Sequence, residues 1–590
     1  MLKLLIGVLF LLIPFLLITK FEDKKKGFFY ILSFLIAFHL FVAVLTQSLH
    51  IFNYSTIFVI NLVASVCIIH KTRKNLNQLK KIKIDWVLIF VIIILFIQLY
   101  SVHYNYTGTF TTITSPLNSA EHMKNPYPYF SDEWYSVAFI DYSISSKSLP
   151  LKNPLTKNLE PFSNLELPFH SFIAEIIISL DLDPLTQYTI ITIFSGILIC
   201  VLVYFILRFN NINQFISAIA AISLSYIING GNIPGLWNLI PLTLGIIFLL
   251  LEFIFISIDD KKMILFTGFF TLIFYPPLFL FSAISLISYF LISKKQNAKY
   301  IMIYLGLILT SAVLISFTMF LTKQYPLISA VSYIFSRIFF QSLTPFNIPN
   351  FSIFYIIPLP ILFFAIFGFF EKQKQRVWLI SPIIVGIIYW IFYSYYNSRF
   401  LIDYERVVVV TSFLIVIVSG FGINWVVKKL NNLEKIEKYK IMSILQVSVL
   451  ILFLIISFSY TNHDGWRKLE LVNMNTKAKT PPAAPAVEYL QEDDLVLFSE
   501  IHNKNFLSIP WKGTVIGIAT DNFPITTKPG TISNEQYLFF QFSSASCQQK
   551  INIALQKQIE YVYTPQFNCP GFSLKGISKE GLYLYEVLKT

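Results

Sequence analysis

The chain is built from long apolar runs, each near the roughly 20 residues that cross a bilayer as a helix, joined by short connections. The runs fall at 2–19, 27–46, 54–70, 84–101, 186–208, 213–229, 236–258, 263–276, 277–293, 300–321, 351–370, 377–394, 405–427 and 441–460. This spacing predicts about fourteen spans. A chain of 590 residues that is 55% hydrophobic and 13% charged, with mean hydropathy +0.65, is too apolar for a water-soluble globule. It reads as a polytopic α-helical membrane protein.

The formal charge of +13 would suit a nucleic-acid partner if it formed a face, but Lys and Arg occur in small clusters between apolar runs. Lys20/Lys24/Lys25/Lys26, Lys71/Arg73/Lys74, Lys261/Lys262, Lys294/Lys295/Lys299, Lys372/Lys374/Arg376 and Lys428/Lys429 fall on one side if every run crosses. That side is expected to be cytoplasmic. The alternate connections 47–53 and 230–235 carry no Lys or Arg, in agreement. The amino terminus, the long loop 102–185 and everything after about residue 460 then face outward, and no nucleic-acid partner is expected. Residues 1–19 lack a small-residue cleavage site before Lys20 and read as a span rather than a signal peptide.

After Ser459 the apolar runs shorten and Asp, Asn, Gln, Pro and Gly appear. Thr480-Pro481-Pro482-Ala483-Ala484-Pro485 reads as a linker, with a short helix at 486–491, strands at 495–500, 514–519, 559–564 and 582–587, and a helix around 548–557. The expected organisation is N-terminal helices over 1–83, a transmembrane domain over 84–460, and a small extracytoplasmic α/β domain over 461–590. Cys67 and Cys200 lie in apolar runs and suit small apolar packing. Cys547 and Cys569 both fall in the exterior domain, where a disulfide and two free thiols are both open.

No internal repeat, phosphate-binding glycine loop, zinc spacing or serine-hydrolase elbow is present. The concentration of polar chemistry is instead Tyr127-Pro128-Tyr129-Phe130-Ser131-Asp132-Glu133-Trp134, in the long outer loop. Glu133, Val137 and Ile140, with Tyr135 and Phe139, keep helical spacing. This predicts an amphipathic surface helix with Asp132 and Glu133 at its start. Carboxylates there favour the helix dipole, and Asp132 could be no more than an N-cap. Trp134, Trp237 and Trp390 fall near predicted outer interfaces, where belt aromatics are expected.

The acidic pair with its following aromatic is succeeded by Ser148-Leu149-Pro150-Leu151-Lys152-Asn153-Pro154 and by Leu165-Glu166-Leu167-Pro168-Phe169-His170. Together with the hairpin Phe274-Tyr275-Pro276-Pro277 and the outer Ser398-Arg399-Phe400 to Glu405-Arg406, these elements resemble membrane glycosyltransferases of the GT-C superfamily. That group includes protein mannosyltransferases, aminoarabinose transferases and oligosaccharyltransferases. The resemblance covers residues 84 to 590 in layout; the helices before 84 are an addition. It implies a multi-pass protein of the cell membrane that moves a sugar from a polyprenyl-phosphate-linked donor to a glycan, lipid or protein acceptor on the extracytoplasmic face.

By the same resemblance Asp132 is the general base. Glu133 orients the acceptor or joins Asp132 in holding a divalent cation, Mg or Mn, although two carboxylates alone establish no metal. A phosphate leaving group calls for guanidinium, and Arg399 and Arg406 are the leading candidates, with Arg337 and Lys323 behind them. Pairing with Asp403 or Glu405 is the competing role for both leading arginines. His170 and Tyr275 are candidates to line the site; packing for His170 and a helix terminator at Pro276-Pro277 are the competing readings. Asp141 and Glu160 read as solvated or structural.

Two alternatives share the polytopic layout. An envelope-polysaccharide polymerase or ligase would use the same donor and outer arginines without depending on Asp132. A transporter or scaffold would carry ionisable groups near the bilayer midplane, and the runs are almost free of them.

Overall fold

The computed structural model describes residues 2–81, 85–104, 127–128, 130–162, 164–227, 235–292, 298–321, 328–329, 331–332, 357–370, 376–396, 404–431, 471–472, 479–480, 490–527 and 537–588. The first apolar runs form α1 (Leu2–Leu12, continued as a 3-10 helix over Ile13–Lys20), α2 (Lys24–Ser48), α3 (Tyr54–Thr72) and α4 (Trp86–Tyr104). Short polar side chains start them: Asp23 accepts from the Lys25 and Lys26 amides, and Asn53 from that of Thr56. Then come α5 (Ser131–Ser146), α6 (Leu167–Leu180), α7 (Tyr188–Phe209), α8 (Gln214–Ser223), α9 (Pro241–Ser257), α10 (Lys261–Phe274), α11 (Phe279–Ile292) and α12 (Ala298–Leu321). The helical part closes with α13 (Leu359–Phe370), α14 (Val377–Tyr396) and α15 (Tyr404–Asn431).

Each predicted span from 2–19 to 405–427 overlaps one of these helices, and 441–460 lies outside the described residues. Among the described residues five helices meet the length and apolarity of a crossing by themselves: Leu2–Lys20, Lys24–Ser48, Tyr54–Leu79, Tyr188–Phe209 and Glu405–Lys429. The other apolar helices carry shorter apolar stretches of 10–17 residues, such as Trp86–Ser101 in α4 and Val377–Phe392 in α14. Gly368 and Gly422 let α13 and α15 approach backbone to backbone, since a Cβ at Gly422 would collide with the Phe364 carbonyl.

The outer segment departs from expectation at α6, which is apolar and packs across α1, α2 and α3. It brings Glu175 into the helix layer, where it is fully buried and pairs with buried His39 at 2.9 Å. A second acid, Glu252 on α9, is fully buried and accepts from the Ser282 hydroxyl at 2.6 Å. The helix layer is thus not as free of charge as its composition suggests; both acids have partners supplied by neighbouring helices.

In the C-terminal domain β1 (Leu471–Val472) pairs with β2 (Lys479–Thr480). Beyond them lie α16 (Glu492–Phe498), β3 (Asn505–Ser508), α17 (Pro510–Thr520), β4 (Phe523–Pro524), α18 (Leu538–Ser544), α19 (Cys547–Gln556), β5 (Tyr561–Thr564), β6 (Phe572–Ile577) and β7 (Tyr583–Val587). The sheet order is β4-β3-β5-β7-β6, parallel on the β3 side and antiparallel about β7. The strands expected at 559–564 and 582–587 and the helix at 548–557 are present. The linker 481–485 and most of the expected helix 486–491 lie outside the described residues.

The strands expected at 495–500 and 514–519 are helices instead. Asp494 folds back on the Gln491 amide at 2.8 Å to start α16. Pro510 stands in the first turn of α17, and Gly513 and Gly517 let that helix lie against Pro524 and Thr526 despite its β-branched residues. Cys547 and Cys569 form a disulfide, with Cα atoms 5.3 Å apart and a sequence separation of 22. Of the two cysteines in apolar runs, Cys200 is buried, as expected for apolar packing, whereas Cys67 is exposed on its helix.

Candidate active site

Three separated stretches meet around Asp132. Helix α5 starts at Ser131 with Phe130 as its N-cap, in an extended conformation with φ −96° and ψ 145°. Asp132 therefore occupies the first turn and is not the cap. Capping falls to Glu133, whose Oε2 accepts the Phe130 amide at 2.8 Å. Its Oε1 accepts the Leu239 amide at 2.7 Å, ahead of α9, and the Thr192 hydroxyl of α7 lies at 3.4 Å. Glu133 is 1% exposed. This carboxylate ties the start of α5 to α7 and α9, and it points into the protein.

Asp132, one residue earlier, reaches the start of α15. Its Oδ2 accepts from an Arg406 Nη2 at 3.2 Å, with the two side chains 27% and 23% exposed. Arg406 lies in the first turn of α15, where a cation opposes the helix dipole, and the Asp132 carboxylate offsets that cost. The guanidinium also stands over the Tyr275 ring, 5.6 Å from its centre. Tyr275 ends α10, the short 3-10 turn Pro276–Leu278 follows, and Gly245 on α9 leaves the space its side chain occupies. Partly exposed Asp132 and Arg406 thus meet over the buried Tyr275 ring, although they are 274 residues apart in sequence.

Asp403, expected beside Glu405 as a partner of the arginines, lies outside the described residues, as do Arg399, Arg337 and Lys323. His170 is 2% exposed, stacked on Phe139 at 5.1 Å, with Nδ1 2.9 Å from the Asn164 amide. Asn164 also holds the Pro150 carbonyl, so His170 braces the turn into α6. Asp141 and Glu160 are exposed.

Glu133 accepts from the Phe130 and Leu239 amides, and Asp132 accepts from Arg406. Among the described residues no group of three or more His, Cys, Asp or Glu side chains could hold a metal. The expected amphipathic surface helix is also absent. Trp134, Val137, Phe139 and Ile140 are buried, and Tyr135 and Ala138 pack with Leu155 against Ile518 of α17, so α5 lies between the helix layer and the C-terminal domain. Trp134 is a core residue rather than a belt residue: it is stacked on Tyr127 and donates to the Pro128 carbonyl at 2.8 Å. Trp237 is likewise buried.

Sequence reasoning missed Leu239 and Thr192 as the anchors of Glu133. A backbone amide carries no side-chain signal, and a threonine in an apolar run reads as filler.

No family model and no curated protein matches the sequence. Solved structures do match. The apo oligosaccharyltransferase of Archaeoglobus fulgidus aligns over 81% of this chain and 69% of its own, at a TM-score of 0.50 and 12% identity. The same enzyme tethered to an acceptor peptide containing an NVT sequon aligns over 85% and 74%, at 0.49 and 12%. In complex with an inhibitory peptide and a dolichol-phosphate it aligns over 81% and 69%, at 0.47 and 13%. The likeness to the apo form is one of fold: a bundle of apolar helices followed by a smaller domain.

Proposed function

We propose that this protein is an integral-membrane glycosyltransferase that moves a sugar from a polyprenyl-phosphate-linked donor to an acceptor at the face carrying the C-terminal domain. The observation that carries the reading is the Asp132–Arg406 pair at 3.2 Å, assembled on a GT-C-type fold from the two stretches that supply a carboxylate and a guanidinium in the motif. The lysine clusters on the opposite connections support an extracytoplasmic orientation of this face.

Asp132 takes the proton of the acceptor nucleophile as that nucleophile attacks the anomeric carbon. The bond from that carbon to the phosphate oxygen breaks, and the lipid phosphate leaves with the electron pair. Arg406 meets the charge that develops there. Its guanidinium offers five donors, so a phosphate can bind beside or in place of Asp132 and free a carboxylate oxygen for the acceptor. Tyr275 holds the guanidinium plane, and Glu133 fixes the helix from which Asp132 projects. In this reading Glu133 acts on Asp132 through the start of that helix. The buried acids Glu175 and Glu252 each bond within the helix layer and do not turn the reading toward a transporter.

The test is sugar transfer in proteoliposomes supplied with a lipid-linked sugar. Asp132→Asn retains donor binding and loses transfer by about 10²-fold or more. Arg406→Ala weakens both, because a guanidinium on the ground-state phosphate acts before the transition state as well. Full activity in Asp132→Asn favours the polymerase or ligase reading, and failure to bind any lipid-linked sugar removes the glycosyltransferase reading.

A further inference from the structure

The N-terminal helices enclose a space that the proposed chemistry does not use. A cavity of about 670 Å³ lies between α1, α2 and α3, lined by Phe10, Leu17, Phe34, Phe38 and Ala64 among other apolar side chains. Its two ends differ. At one end stand the exposed ammonium groups of Lys20 and Lys71, on the lysine-rich side of the spans. The same end is closed by Lys24, which donates to the Thr19 and Phe21 carbonyls and to Gln78. At the other end are His39 and Asn61, but His39 pairs with Glu175 and Asn61 donates to the Ser179 hydroxyl at 3.4 Å, both on α6. Their bonding capacity turns out of the cavity, which stays apolar along its length. Phe34 is 51% exposed at the rim, so the cavity opens sideways toward lipid.

The groove is long enough to span one leaflet. From Lys24 to His39 α2 rises roughly 22 Å at about 1.5 Å per residue. Half of a hydrocarbon core is about 15 Å thick. A chain entering at the lysines can therefore run its whole length against this groove.

From the pairing of a cationic mouth with an apolar groove of this length, we propose that the N-terminal unit holds an anionic glycerophospholipid of the lysine-side leaflet. The headgroup phosphate lies between Lys20 and Lys71, and one acyl chain lies between α1, α2 and α3. Basic pockets between membrane helices recognise anionic headgroups through charge, and the buried chain adds apolar area that does not discriminate among lipids. Charge selectivity should therefore belong to the lysines and occupancy to the groove. The site is separate from Asp132 and Arg406 and stands whether or not the transfer reading holds.

The experiment uses the full chain in nanodiscs of phosphatidylcholine containing a minor fraction of phosphatidylglycerol, with the lipid retained through washing quantified by mass spectrometry. Wild type retains phosphatidylglycerol above its bulk proportion. Exchanging one lysine for glutamine lowers that preference by about fivefold, and K20Q/K71Q lowers it by about thirtyfold. Both lysines are exposed, and an unchanged gel-filtration profile confirms that the variants fold. Ala64→Trp fills the groove and lowers retention of both lipids while leaving the lysines in place. Retention in bulk proportion by wild type overturns the proposal, as does an unchanged preference in K20Q/K71Q. Preferential capture of undecaprenyl phosphate from discs holding both anionic lipids overturns it too, and gives the groove to a carrier lipid.

Discussion

Glu133 and Asp132 are adjacent carboxylates with opposite duties, and substituting each separates stability from chemistry. Glu133→Ala removes the acceptor of two buried amides, Phe130 at 2.8 Å and Leu239 at 2.7 Å. A buried donor left unpaired costs about 1–3 kcal/mol, so two give about 2–6 kcal/mol before the vacated volume is counted. Glu133→Gln keeps one carbonyl oxygen but turns an amide NH₂ toward the other donors, a loss of about 1–3 kcal/mol. Asp132→Asn changes a half-exposed contact with Arg406 and should stay within about 1 kcal/mol of wild type. Thermal unfolding of the purified chain in detergent, read by gel filtration after heating, should rank stability as wild type near Asp132→Asn, then Glu133→Gln, then Glu133→Ala. Below its unfolding range Glu133→Gln should keep most of its transfer activity, whereas Asp132→Asn should keep almost none. Equal stability of Glu133→Ala and wild type would refute the anchoring role, and so would equal destabilisation by Asp132→Asn.

Arg406→Lys should recover only part of the donor binding lost in Arg406→Ala, since a point charge replaces a planar fork; full recovery in a donor-binding titration would remove the fork argument. Reducing Cys547–Cys569 should lower the stability of the C-terminal domain by about 3 kcal/mol for a loop of this size, measured by urea-dependent proteolysis with and without reductant. Glu560 supplies a pH test. Its partial burial pushes the carboxyl up, but bonds from Lys504, Lys157 and the Asn505 amide outweigh this and hold it down to about 2. A depressed folded-state value stabilises above the ordinary carboxylate range and is lost as pH falls from about 4.5 toward 2. Crosslinking between the 151–162 segment and the C-terminal domain should therefore weaken over that window, and Glu560→Gln should flatten the change. Ile518→Asp places a charge against Tyr135, Ala138 and Leu155 and should expose α5 to limited proteolysis at neutral pH.

What the sequence made legible was what side-chain type and period record. Apolar period and lysine clusters located the helices, and the acidic pair and the outer arginines marked the two stretches that meet. Their meeting was not legible, because nothing in Asp132 or Arg406 states that α5 and the start of α15 touch. The division of labour within the acidic pair was hidden for a related reason. A Glu three residues past an N-cap can fold back on the cap, yet its second oxygen finds Leu239 through tertiary packing alone. The same limit applies to α17, where Val515 and Ile516 read as strand until Pro510 and the contacts of Gly513 and Gly517 hold them in a helix. It applies also to α6, whose Glu175 gives no sign in sequence that His39 waits 136 positions earlier.

The central claim is that Asp132 and Arg406 act as one unit on the donor. The direct measurement is a double-mutant cycle of single-turnover transfer with Asp132→Asn, Arg406→Ala and the pair, all in the same liposomes. Groups in contact that serve one step are non-additive, so the double variant should be no worse than the poorer single variant within a few-fold. Losses that multiply would contradict the account, and transfer at the wild-type rate in either single variant would contradict it outright.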